Sequence, residues 1–130
     1  MYYKRIKNHP AMTIEPPGGQ RHFAFAKVGK VLYIGWNNLK TRPQLFHWKE
    51  NGSSVACYHA ETHVLYKIPK HKRKKAKIHV MRVKAEGRLV FSKPCRHCLA
   101  TLLTEGVSMK NIFYTDHNGE WRNINNDIQI

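Results

Sequence analysis

Apolar and polar positions along the chain change period several times. The stretch "HFAFAKVGKVLYIGWNN" (22–38) carries two apolar, β-prone runs on either side of Gly29-Lys30, which predicts a hairpin. Residues 37–56 are polar and predict a loop holding Phe46 and Trp48, with a Ser53-Ser54 turn leading into the next element. Over 56–67, Ala56, Ala60, Val64 and Lys67 fall on one helical stripe with Tyr58 and Leu65 beside it, and Pro69 stops the helix. "KIHVMRV" (77–83) is β-branched and alternating, and predicts a strand. "LVFSKP" (89–94) reads as a short extended approach to Pro94. "CRHCLATLLTEG" (95–106) predicts a helix closed by Gly106. "NIFYTD" (111–116) predicts a strand, and Asn118-Gly119 a tight turn returning "EWRNI" (120–124) antiparallel to it. Residues 1–20, rich in Pro and Gly, form an irregular lead-in with room for one short helix. The order β-β-α-β-α-β-β suits a mixed sheet with helices packed on it.

The chain has 130 residues, the size of one domain with one core. Net charge changes the picture more. At +15, with a pI near 10.1, the chain repels itself and attracts phosphates. "KIPKHKRKKAKIHVMRVK" (67–84) holds nine Lys and Arg and no acid. It is either a solvated connection or a track for a phosphate backbone, with Lys70, Lys72, Arg73, Lys74 and Lys75 as the contacts. No apolar segment follows the basic start "MYYKRIKNHP", and no run of about 18 apolar residues could span a bilayer. The expectation is a cytoplasmic protein without a membrane partner. Three cysteines, two of them as Cys95-Arg96-His97-Cys98, agree with a reducing compartment, where Cys-x-x-Cys signals metal or redox chemistry.

"CYHAETHVLY" (57–66) sets two histidines around a glutamate inside an apolar run. Taken with "PCRHC" (94–98), the chain spells H-A-E … P-C-x-x-C through His59, Glu61, Pro94, Cys95 and Cys98. This pattern resembles the signature of the cytidine deaminase-like superfamily of zinc hydrolases. The likeness extends over about residues 20–122: an initial hairpin, "GWNN" ending the second strand, and helices opening on H-A-E and P-C-x-x-C. A thioredoxin-like redox site is the alternative for Cys95 and Cys98 alone, and the H-A-E half argues against it.

The resemblance implies an α/β fold, an α-β-α sandwich with a central mixed five-stranded sheet and helices on both faces, as a single domain over 1–130. It implies one Zn²⁺ per chain held by His59, Cys95 and Cys98, with a fourth position left for a water whose pKa zinc lowers. Glu61 then serves as the proton shuttle for attack at C4 of cytosine. Cysteines at a helix start favour the thiolate. His59 and Glu61 are two residues apart and converge only if the metal sits at the helix's N-terminal end.

Other residues carry weaker signals. His63 shares a helical face with His59, but Ala60 stands where H-E-x-x-H chemistry needs a glutamate. Cys57 is expected to pack. His97 is expected to face solvent or to meet a substrate phosphate. Asn37 matches the family asparagine that ends strand two and contacts the substrate sugar. Trp36, Phe46, Trp48 and Tyr58 are candidates to stack on a base, and Ala60 is a candidate substrate contact. Ser92, Lys93 and Pro94 are candidates for the pocket rim.

The chain lacks a long helical C-terminal extension, and its final hairpin is similar to that of cytidine-type members, which favours cytosine over the adenosine of tRNA. The expected function is zinc-dependent hydrolytic conversion of cytosine to uracil in single-stranded DNA or RNA. A free cytidine, deoxycytidine or dCMP deaminase is the alternative, and a catalytically idle zinc-stabilised nucleic-acid-binding module the third.

Overall fold

The computed structural model describes residues 6–12, 21–41, 49–50, 53–54, 57–84 and 88–127, with backbone alone for 38–41, 49–50, 53–54 and 57–58. Strands β1 (Arg21–Val28) and β2 (Val31–Trp36) form the expected hairpin. Their register runs from Phe23 opposite Trp36 to Val28 opposite Val31. Gly29, at φ 59°, supplies the left-handed turn residue. The segment expected to be loop holds three short strands instead: β3 (Asn38–Thr41), β4 (Lys49–Glu50) and β5 (Ser53–Ser54). β4 pairs with β5, and β3 pairs with β6 (Cys57–Tyr58). The helix expected from residue 56 therefore begins later, as α1 (Ala60–Lys67), because the backbone of Cys57 and Tyr58 is committed to β3.

β7 (Lys77–Val83), β8 (Leu89–Val90), β9 (Ile112–Thr115) and β10 (Trp121–Asn123) complete the set, with α2 (Arg96–Thr104) before β9. The main sheet has the order β10-β9-β7-β1-β2. β7 and β9 are parallel, and every other neighbour is antiparallel. β8 adds a sixth strand beside the C-terminal half of β7, where five were expected. The α/β class is as expected.

Period-2 alternation sorts the two faces. Ala24 and Ala26 of β1, Ile78 and Val80 of β7, and Ile112 and Tyr114 of β9 meet Ala60, Val64 and Leu65 of α1 and Leu102 of α2 in one buried cluster. Phe23 and Phe25 of β1 with Met81 and Val83 of β7 face the other way. There, among the described residues, Ile6 and Ala11 of the N-terminal segment cover them. Small residues let α1 lie close on the sheet. At Gly35 a Cβ atom would stand 2.4 Å from the Val64 backbone nitrogen and 2.8 Å from the Ala60 carbonyl oxygen, so only glycine fits. α1 ends where Ile68 turns extended before Pro69, and Gly106, at φ 96°, follows the end of α2.

The 3-10 helix Lys70–Lys75, which carries most of the basic run, follows the C-terminal end of α1 and precedes the start of β7.

Candidate metal centre

The centre lies where β7 and β9 diverge. Ser92 holds that fork. Its hydroxyl is 2.8 Å from the Val80 carbonyl oxygen and accepts the Thr115 N–H at 2.8 Å, and its own N–H donates to the Thr115 carbonyl at 2.9 Å. The chain is thereby carried past the carboxyl ends of two parallel strands, where α/β folds place their binding crevices. Three residues later Cys95 caps the start of α2.

Each helix opens on a residue of the signature. His59 is the N-cap of α1, extended at φ −86° and ψ 159°, and its carbonyl accepts from the His63 N–H at 2.9 Å and the Thr62 hydroxyl at 3.0 Å. Its ring makes no capping bond and points to the cysteines. Cys95 is the N-cap of α2, its sulfur accepting the Cys98 N–H at 3.4 Å. His59 Nδ1 stands 3.1 Å from Cys98 Sγ and 3.6 Å from Cys95 Sγ. All three donor atoms lie within 4.8 Å of one another. Donors on one tetrahedral zinc, at bond lengths of about 2.0 to 2.3 Å, sit roughly 3.5 Å apart. The nitrogen and two sulfurs fit one such ion, with the fourth position left open by the described residues.

The electrostatics suit a thiolate-rich centre. The Cys98 side chain, helped by His59, pulls the Cys95 thiol down to about 3 against the opposing effect of burial. Glu61, in the first turn of α1, is 5% exposed. Burial, then the Cys95 charge, pushes its carboxyl up to about 7, although it hydrogen-bonds the Cys98 side chain.

The remaining candidates divide. Ala60 and Pro94 are buried beside the cluster's helix starts. Trp36 ends β2; its backbone N–H lies 3.0 Å from His63 Nδ1, and the two rings meet edge-on with centroids 4.5 Å apart. His63 is thus occupied with β2 and stands outside the donor cluster. Asn37 closes β2 onto β1: its Oδ1 accepts the His22 N–H at 3.0 Å. Ser92 is 3% exposed and bonded within the fork, so it is a strut and not a rim residue. Lys93 is at the surface, paired with Asp127 at 3.1 Å. His97 corrects the expectation of a solvent-facing ring. At 4% exposure it is buried, its ring 6.0 Å from that of His59, because the first turn of α2 faces α1. Phe46 and Trp48 lie outside the described residues, as does the Tyr58 side chain.

The basic run sits away from the centre. α1, eight residues and so about 12 Å long, separates His59 from it. Lys70, Lys72, Lys74 and Lys75 are exposed. Arg73 is 8% exposed; it pairs with Glu105 at 3.1 Å, and its Nε donates to the Ile68 carbonyl. Arg73 therefore ties the run to the end of α2.

Sequence reasoning passed over His22. It occupies the helix-bearing face of β1, in step with Ala24 and Ala26, and its charge would be felt by both His59 and Cys95. Burial first, then Arg82 across the strand pair, lowers it to about 4. The strand alternation alone could have pointed to it.

Compared with known proteins, the chain matches no family model, and no curated protein shows significant similarity to it. No helix among the described residues is long and apolar enough to cross a membrane.

Proposed function

We propose that the chain is a zinc-dependent hydrolytic deaminase of cytosine bases. One observation carries the reading: the His59–Cys95–Cys98 group, which holds three donors among the described residues, has a buried carboxylate, Glu61, directly beside it. A purely structural zinc site is closed by four protein ligands and needs no such carboxylate. Bound zinc supplies Lewis-acid activation of a water molecule. The chain's residues do the rest. Glu61 takes a proton from the water as its oxygen bonds to C4 and delivers it to ring N3. The remaining proton of the added hydroxyl passes through Glu61 to the amino group, the C4–N bond breaks, ammonia leaves and the carbonyl of uracil forms. Ala60 and Pro94 at the helix starts shield the carboxylate, and the reading gives the sugar contact to Asn37 at the end of β2.

The net charge of +15 supports a polyanionic carrier, cytosine in single-stranded DNA or RNA, whose target base is already unstacked. A free nucleotide such as dCMP is the second reading. The location of the basic run beyond the far end of α1 favours it, because those lysines do not surround the centre. Zinc content and ammonia release, measured together on cytidine, dCMP and single-stranded DNA and RNA at two salt concentrations, test both. Activity confined to the polynucleotides and falling steeply with salt is expected. Turnover of dCMP alone, with little salt dependence, selects the second reading. Stoichiometric zinc with no turnover of any of them overturns the enzyme.

A further inference from the structure

A second set of residues lies on the sheet face away from α1 and α2. Lys27 of β1 and Lys77 of β7 are exposed and directly opposite each other in the antiparallel register. Like charges in that relation cost stability, and a bound anion removes the cost. Two residues along β7, His79 lies beside Phe113 of β9 in the parallel register. Their rings stack with centroids 4.6 Å apart and planes within 9°. Trp121 of β10 meets His79 edge-on at 5.1 Å and is 38% exposed. Lysines and rings thus form one row across β1, β7, β9 and β10, and the alternation that sends Ala26, Ile78 and Val80 toward the helices puts this row on the other side. Burial, then Lys77, lowers His79 to about 4, so the ring in the row is neutral at physiological pH.

We propose that this row is a binding platform for single-stranded nucleic acid, with a base stacking on Trp121 and phosphates on Lys27 and Lys77. Aromatic rings flanked by cations are what a sequence-tolerant single-strand site needs, since every base offers a π-face. Charge selects this occupant over a second copy of the chain, because two chains of +15 repel. The platform is independent of the deaminase reading: it lies on the opposite face of the sheet from the metal group and binds bases the centre does not transform.

Binding of fluorescein-labelled oligothymidylate, which contains no cytosine, tests the platform apart from catalysis. Fluorescence anisotropy is expected to show that Trp121→Ala binds about tenfold more weakly, the scale of one lost base stack, while Trp121→Phe retains most of the affinity. Lys27→Ala with Lys77→Ala is expected to lower the salt slope by about 1.4, two phosphates' worth. Duplex DNA is expected to bind more weakly and to be indifferent to Trp121→Ala. Unchanged oligothymidylate affinity in both Trp121→Ala and the double lysine variant overturns the proposal. So does a dimer of the unaltered chain in sedimentation that Trp121→Ala dissolves, because the row is then an interface between copies. Should Trp121→Ala fail to fold, the double lysine variant and Trp121→Phe decide the matter by the same measurement.

Discussion

His59 and Glu61, two residues apart, reach the same donor cluster because α1 begins between them. His59 is extended at the N-cap, and Glu61 already lies in the first helical turn. Inside a helix the same spacing would send them to nearly opposite sides. The convergence gives the sharpest test. Glu61→Gln keeps the side chain's size and removes its proton transfer. Ammonia release is expected to fall by at least about a hundredfold, the lower range for a general acid–base group. Zinc content, read by atomic absorption, is expected to stay at one per chain, since Glu61 is not among the three donors. Full activity in this variant would sink the proposed mechanism.

Gly35 fixes the height of α1 over the sheet. Gly35→Ala would place a methyl group 2.4 Å from the Val64 backbone nitrogen and 2.7 Å from the Val64 Cβ. Backbone on both sides leaves no flexible side chain to yield, so α1 must lift. Overpacking of this kind costs about 1 to 3 kcal/mol. Thermal unfolding is expected several degrees lower, and zinc is expected to dissociate more readily because His59 moves with the helix. A variant as stable as the parent, with unchanged zinc affinity, would show that α1 is not pinned there.

Much of this arrangement was legible in the sequence. The β1–β2 hairpin, α2 and the β9–β10 hairpin each carry a strong period with a glycine at the turn or end, β7 carries a β-branched alternation, and each forms where expected. The metal group was legible because its residues sit at helix starts in fixed spacing, so local pattern and tertiary position agree. β6 was not, because Cys57 and Tyr58 continue the helical stripe, and only pairing with the distant β3 overrides it. Arg73 looked like one more lysine-like charge; its partner Glu105 is far along the chain, so nothing local marks it as buried. His97 was misplaced for a related reason: the packing of α2 on α1 decides which face of its first turn is inside.

His22 makes the fold acid-sensitive. Its folded value, about 4, lies below its ordinary 6.5. A depressed value means the fold favours the neutral ring, so the stability it contributes is complete above pH 6.5 and is lost as pH falls toward 4. At pH 5 the loss is on the order of 2 kcal/mol. His22→Gln removes the titration. The difference in melting temperature between pH 7 and pH 5 is expected to narrow in this variant, as measured by circular dichroism. An equal difference in both proteins would show that other groups govern the acid limb.

The basic run mixes two roles that substitution separates. Arg73 is buried against Glu105 and the Ile68 carbonyl, so Arg73→Ala leaves a carboxylate and a carbonyl without their partner. A cost of about 1 to 3 kcal/mol is expected in denaturant unfolding. Lys72, Lys74 and Lys75 are exposed on the same 3-10 helix. Their joint replacement by alanine is expected to leave stability within about 0.5 kcal/mol or to raise it slightly, since it relieves self-repulsion. If the run also contacts a phosphate backbone, the triple variant lowers the salt slope of single-strand binding by up to about 2, and Arg73→Ala does not. A triple variant whose slope matches the parent's would leave the lysines as a solvated surface and assign the salt dependence to the platform of Lys27 and Lys77.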